Sequence, residues 1–278
     1  MNYKFKKITI LSLCFFVCFV FLKALQAVFC LDSVTGFLKS GYAFYGNEIT
    51  IFIFLFLAFL YFFCFSCPFI PKEYPKNNCF LAVGYYSLAL SCFVDVVFFE
   101  KSKFSAPWQN ALFLILGVAC FLYFILCGTS GFVKIPFVAN ENGVINPLFS
   151  LIPILFYLIK IIVFFTFYTE IPVVTDVIFE IGVLILFLIF FLFLAKLKNN
   201  INVVSTQKKI IPVTIIAFLL GATQSLPQII LFLLFKNRFV KTPGTHLISN
   251  VFVLIFLVIF YVFLTLPNNT KNKPKKHS

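Results

Sequence analysis

The sequence predicts an all-α, polytopic integral membrane bundle of about eight transmembrane helices, with seven as the alternative count. Of its 278 residues, 62% are apolar and only 11% charged, and the mean hydropathy is +1.07. A soluble domain carries roughly 45–50% apolar and about 25% charged residues, so this chain lacks the polar surface that would keep it in solution. The second observation is a series of eight apolar stretches, each near the roughly 20 residues that a helix needs to cross about 30 Å of hydrocarbon. The third is the chemistry of the breaks between them, which are short and hold the Pro, Gly, Asn and Lys residues expected of helix ends.

The first span, near Ile8–Phe29, follows Lys4, Lys6 and Lys7 as a secretory leader would. Leu25, two residues before Ala27, is too large for a cleavage site, so the segment is read as a retained helix. The second, Ile49–Cys67, stops at Pro68, Pro71 and Pro75, and the third covers Cys79–Phe99. The fourth, Ala111–Cys127, is the weakest, and its loss would give the seven-helix count. Asn140, Asn142, Gly143 and Pro147 precede the fifth, Leu148–Tyr168; the sixth, seventh and eighth are Val177–Ala195, Ile210–Phe235 and Leu247–Leu266. Residues 1–266 thus read as one transmembrane domain, and 267–278 as a basic, disordered cytoplasmic tail.

A net charge of +13 would suggest nucleic acid in a soluble protein, but here the lysines gather at span ends and in the tail, as topology signals do. With the N-terminus inside, the inner side collects fourteen Lys or Arg residues and the outer side six, while Lys23 and Lys160 lie within spans. Both termini are therefore expected in the cytoplasm of a cell-membrane protein whose first partner is the lipid bilayer. The loop Lys236–Thr245, with three positive charges on the expected outside, runs against that count. The 44 phenylalanines and the single arginine, Arg238, fit an A/T-rich coding bias and need no functional explanation.

Little material remains for catalysis. Two histidines, His246 and His277, cannot build His-Glu-x-x-His, and neither a Gly-x-Ser-x-Gly turn nor a phosphate loop is present. Asp95 with Glu180 is the one acid pair at comparable depth. An enzyme is not expected, nor a cofactor, nor a metal. The nine cysteines lie between Cys14 and Cys127; Cys64 and Cys67 form a C-x-x-C, but no second pair completes a ligand set, so they read as small packing residues.

The informative residues are the polar ones at membrane depth, where a central Asp or Lys costs about 2.5–3.5 kcal/mol and so faces a partner or a wet cavity. Asp95, Lys160 and Glu180 qualify, at depths of about 6, 12 and 5 Å from the outer ends of their own spans. Gly84, Ser87, Ser91 and Asp95 form one small, polar stripe down the third span. Pro153, Tyr157 and Lys160 share a face of the fifth, and Thr214, Gly221, Gln224 and Gln228 a face of the seventh, beside Pro227. Glu180, Asp95 and above all Lys23, near span ends, are able to snorkel.

Residues Gly221–Ile230, with Lys241-Thr-Pro-Gly-Thr245 and Leu247-Ile-Ser249, resemble the PQ-loop repeat of small sugar and amino-acid transporters. The match covers about thirty residues and departs from the family in its spacing, in the single helix that follows, and in the lack of a second Pro-Gln. The resemblance implies that Pro227 and Gln228 form a hinge for alternating access.

Taken together, these residues point to a small-solute transporter or permease. A polar solute would bind among Asp95, Lys160, Glu180, Gln224 and Gln228 in the outer half of the bilayer, with Pro153 and Pro227 as hinges. The alternative is a membrane module without transport, a sensor, an immunity-type protein or an anchoring subunit in complex with other membrane proteins, in which Asp95 or Glu180 with Lys160 only clamps helices together.

Overall fold

The structure is a computed structural model that describes residues 3–30, 39, 41–65, 79–98, 107–132, 147–168, 175–235 and 245–265. They form eight helices, α1 (Tyr3–Leu25), α2 (Ala43–Phe65), α3 (Cys79–Val97), α4 (Pro107–Ser130), α5 (Ile152–Tyr168), α6 (Thr175–Lys198), α7 (Val203–Phe235) and α8 (Thr245–Thr265). All eight are long and apolar enough to cross a membrane. The chain is an all-α bundle, and the fourth span, the weakest in sequence, is a helix of 24 residues. Cys67, the tail 267–278 and most of the basic loop 236–245 lie outside the described residues.

Side-chain burial explains why an apolar chain of this kind makes one bundle rather than eight separate spans. Ile10, Phe21, Leu55, Phe62, Ile115 and Leu233 point outward, as lipid-facing residues should, so apolarity alone does not decide what is inside. Small residues do. A Cβ on Gly84 would come within 2.8 Å of Phe256, one on Gly117 within 2.6 Å of Val96, and one on Gly221 within 2.9 Å of Leu254. These glycines let α3 and α7 close onto α8, and α4 onto α3. Gly84→Ala is therefore expected to lower the melting temperature by a shift worth about 1–3 kcal/mol, the usual cost of overpacking. Gly41→Ala, whose Cβ meets nothing within 4 Å, should leave it unchanged under the same conditions.

Helices α3 to α8 follow one another around a closed ring, each against the next, and α8 returns to pack on α3. Helices α1 and α2 sit outside it, docked on α7. Buried aromatics fill the ring's interior: Tyr85 stacks on Phe124 and leans on Phe256 at a tilt, Phe191 stacks on Tyr157 and meets Phe124 at a tilt, and Phe190 meets Phe256 and Phe260 edge-on. The bundle has an upper end, where α1, α3, α5 and α7 finish, and a lower end, where they begin.

Three local features differ from the sequence expectation. Helix α7 runs unbroken for 33 residues, through both Pro212 and Pro227, and takes in Lys208 and Lys209, which the sequence places in a loop. Its start is set by the tight α6–α7 turn, where Asn200 and Asn202 adopt positive φ, a conformation that Asn tolerates better than most residues. Pro153 is the second residue of α5, after a 3-10 turn over Pro147–Leu151. A proline in a first helical turn removes no needed N–H, so Pro153 does not interrupt the hydrogen-bond ladder of α5. Finally, α1 ends in a π-helical turn, Gln26–Cys30.

Candidate functional site

A buried ion pair joins two residues that the sequence singles out. Lys160 Nζ lies 2.7 Å from Asp95 Oδ2, and both side chains are about 95% buried. Ser249 on α8 donates to the same carboxylate oxygen at 2.8 Å and shares a 2.9 Å hydrogen bond with Ser91. The ring of Tyr157, itself buried, lies below the ammonium at 5.8 Å. The small, polar stripe of α3 thus has a use at its upper end: Ser91 and Asp95, one turn apart, both face α8 and the ring interior.

This cluster sits deeper than the position of Asp95 on its own helix suggests. Val96 packs against Gly117, which is ten residues, or about 15 Å, inside the start of α4. Lys160 is at the midpoint of α5. Helix α3 ends early relative to its neighbour, so a depth measured along α3 alone is too shallow.

The other expected site residues fall at related heights but are not all joined to this pair. Glu180 is buried, two turns from Phe187 on one face of α6; Phe187 meets Tyr157 edge-on and lies against Gly221. Gln224 is buried on α7, one turn above Gly221, and Gln228, a further turn up, is only half-buried. The contacts of Gly182 with Leu220 and of Phe187 with Gly221 set the antiparallel register of α6 and α7, and that register brings Glu180 level with Gln224. Pro227 is buried beside them.

Two lysines to which the sequence reading gave no site role are more deeply embedded than expected. Lys23 does not snorkel; it is 1% exposed, donates to Gln26 Oε1 at 2.8 Å and lies 4.3 Å over the ring of Phe179. Gln26 in turn donates to the Gly46 carbonyl at 2.8 Å and to Thr50 at 3.1 Å, tying the π turn to α2. The signal available in sequence was the spacing of three between Lys23 and Gln26, which puts both on one face. Lys198, counted only as a topology charge, donates to Tyr123 at 3.2 Å and to Cys127 Sγ at 3.1 Å, with the ring of Tyr85 4.2 Å away. Its ammonium closes the lower end of the aromatic core, and nothing in the local sequence of α6 announces it.

On α8, next to Ser249, Asn250 is 1% exposed and neither atom of its amide has a hydrogen-bond partner; Ser225 on α7 is fully buried with its hydroxyl likewise unpartnered. Each such group costs about 1–3 kcal/mol. The eight described cysteines form no disulfide with one another. Comparison with protein-family models finds no match, and neither the curated proteins nor the solved structures provide one.

Proposed function

We propose that this multi-pass membrane protein is a transporter of a small polar solute, with the Asp95–Lys160 pair as the closed latch of its site. The observation that carries the reading is the path of that pair. It reaches from α3 to α5 across the ring interior, although α4 stands between these helices in the ring. A clamp that only staples neighbouring helices has no reason to span the interior, whereas a latch over a central passage must. Below it lies the aromatic layer, and below that the Lys198 cage, so a polar group closes each end of an apolar barrier. By the positive-charge count the latch faces outward and both termini are cytoplasmic. Pro227, inside α7 and one to two turns above Gly221, supplies the hinge that the PQ-loop resemblance implies. No covalent chemistry is involved.

Uptake by proteoliposomes of a broad panel of polar solutes tests the proposal, with wild type set against Lys160→Met and the exchanged pair Asp95→Lys/Lys160→Asp. The expected result is uptake of some solute by wild type, loss of at least tenfold in Lys160→Met, and no recovery in the exchanged pair even where the folded level recovers. No uptake by wild type, or full recovery by exchange, would leave a structural clamp and favour the non-transporting module.

A further inference from the structure

We infer that Asn250 and Ser225 form a binding subsite for a neutral group that both donates and accepts hydrogen bonds, the hydroxyl or carboxamide of a small solute. The register of α7 against α8 sets the two residues at one level. Leu254 of α8 packs into the space left at Gly221 of α7. One turn towards the upper end along each of these antiparallel helices stand Asn250 and Ser225, on the same two faces that meet at Leu254 and Gly221. Both are enclosed, and the amide oxygen, the amide nitrogen and the serine hydroxyl oxygen all lack a protein partner. Buried polar atoms are almost always paired in folded proteins, so three orphaned atoms at one level of two facing helices mark a place where a partner is meant to come from elsewhere.

Their chemistry defines that partner. An amide and a hydroxyl present donors and acceptors without charge, and a hydroxyl or carboxamide answers both. A lone cation or anion would satisfy only half of the set. The place fits as well, because Asn250 follows Ser249, which holds Asp95 and, through it, Lys160. A solute anchored at Asn250 would therefore lie beside the charge pair. The assignment deepens the solute-binding reading above and rests on it, but its residues are distinct from the latch.

The test uses full-length protein in nanodiscs, with thermal stability measured against glycerol, sorbitol, acetamide and glutamine, and against glycine betaine as a control that has no N–H or O–H donor. At least one hydroxyl- or amide-bearing solute should raise the melting temperature of wild type, and betaine should not. Asn250→Leu, similar in volume but free of the unpaired amide, should melt higher than wild type without solute and bind the solute at least tenfold more weakly. Ser225→Ala should also weaken binding, which keeps the test open if Asn250→Leu does not fold. Equal responses of wild type and both variants to every solute would overturn the subsite. So would an ordered water bridging Asn250 and Ser225 in an experimental map combined with no solute shift. If Lys160→Met abolishes uptake while Asn250→Leu retains full affinity, the latch stands and the subsite falls. If Asn250→Leu loses binding in a protein that takes up nothing, the subsite stands and transport falls.

Discussion

Asp95→Ala is expected to remove most of the folded protein from the membrane fraction, with a loss of stability of about 3–5 kcal/mol. That magnitude belongs to a buried ion pair from which one member is taken, because the remaining Lys160 ammonium stays 96% enclosed with no counter-charge. Ser249 and Ser91 cannot compensate, since interhelical hydrogen bonds between neutral groups in membranes average only about 0.6 kcal/mol. Removing both charges is a different matter. In Asp95→Ala/Lys160→Leu no buried charge is stranded, and the double variant should recover most of the folded level, because the gain from a buried pair is largely cancelled by its desolvation. Fluorescence-detected size-exclusion chromatography of the three variants and wild type, solubilised identically, measures this. A single variant as abundant and monodisperse as wild type would mean that the charge is satisfied elsewhere.

Phe256→Ala should be almost as damaging, at about 3–5 kcal/mol. Phe256 is fully enclosed, stacks on Phe260 and touches Tyr85 and Phe190, and its ring edge fills the space left at Gly84. Truncation would open a void where α3, α6 and α8 meet, and lipid cannot enter to line it. Phe21→Ala removes the same atoms from a side chain that is 61% exposed to the surroundings, and should cost little. Thermal unfolding of the two variants in one lipid composition separates packing from simple loss of apolar content. Equal shifts would show that the ring interior is not close-packed.

Much of this was legible in the sequence, and the reasons are physical. Eight spans could be found because a bilayer sets a length and an apolarity that soluble helices need not meet. Asp95 and Lys160 stood out because charges in hydrocarbon are costly enough to require a partner. What could not be read was which helix lies beside which. The depth of Asp95 was underestimated because α3 ends well short of α4. Pro153 looked like a kink because its place in the first turn of α5 depends on a 3-10 turn that apolar patterning does not reveal. Lys23 was set aside as a residue that could reach the headgroups, and only the packing of Phe179 and Gln26 around it excludes that. Asn250 and Ser225 carried no signal at all, since an isolated amide and a hydroxyl in apolar helices commonly pair with a neighbour.

The position of α1 and α2 outside the ring bears on how the protein is made. These two helices leave the ribosome before α3 to α8, yet the surface on which they dock belongs to α7, and the aromatic cover of Lys23 belongs to α6. During synthesis the early hairpin must wait in lipid with Lys23 and Gln26 satisfying each other and Gly46 and Thr50. Nascent chains halted after α5 would thus carry an uncovered amine in the bilayer, a recognisable target for membrane quality control until α6 and α7 arrive.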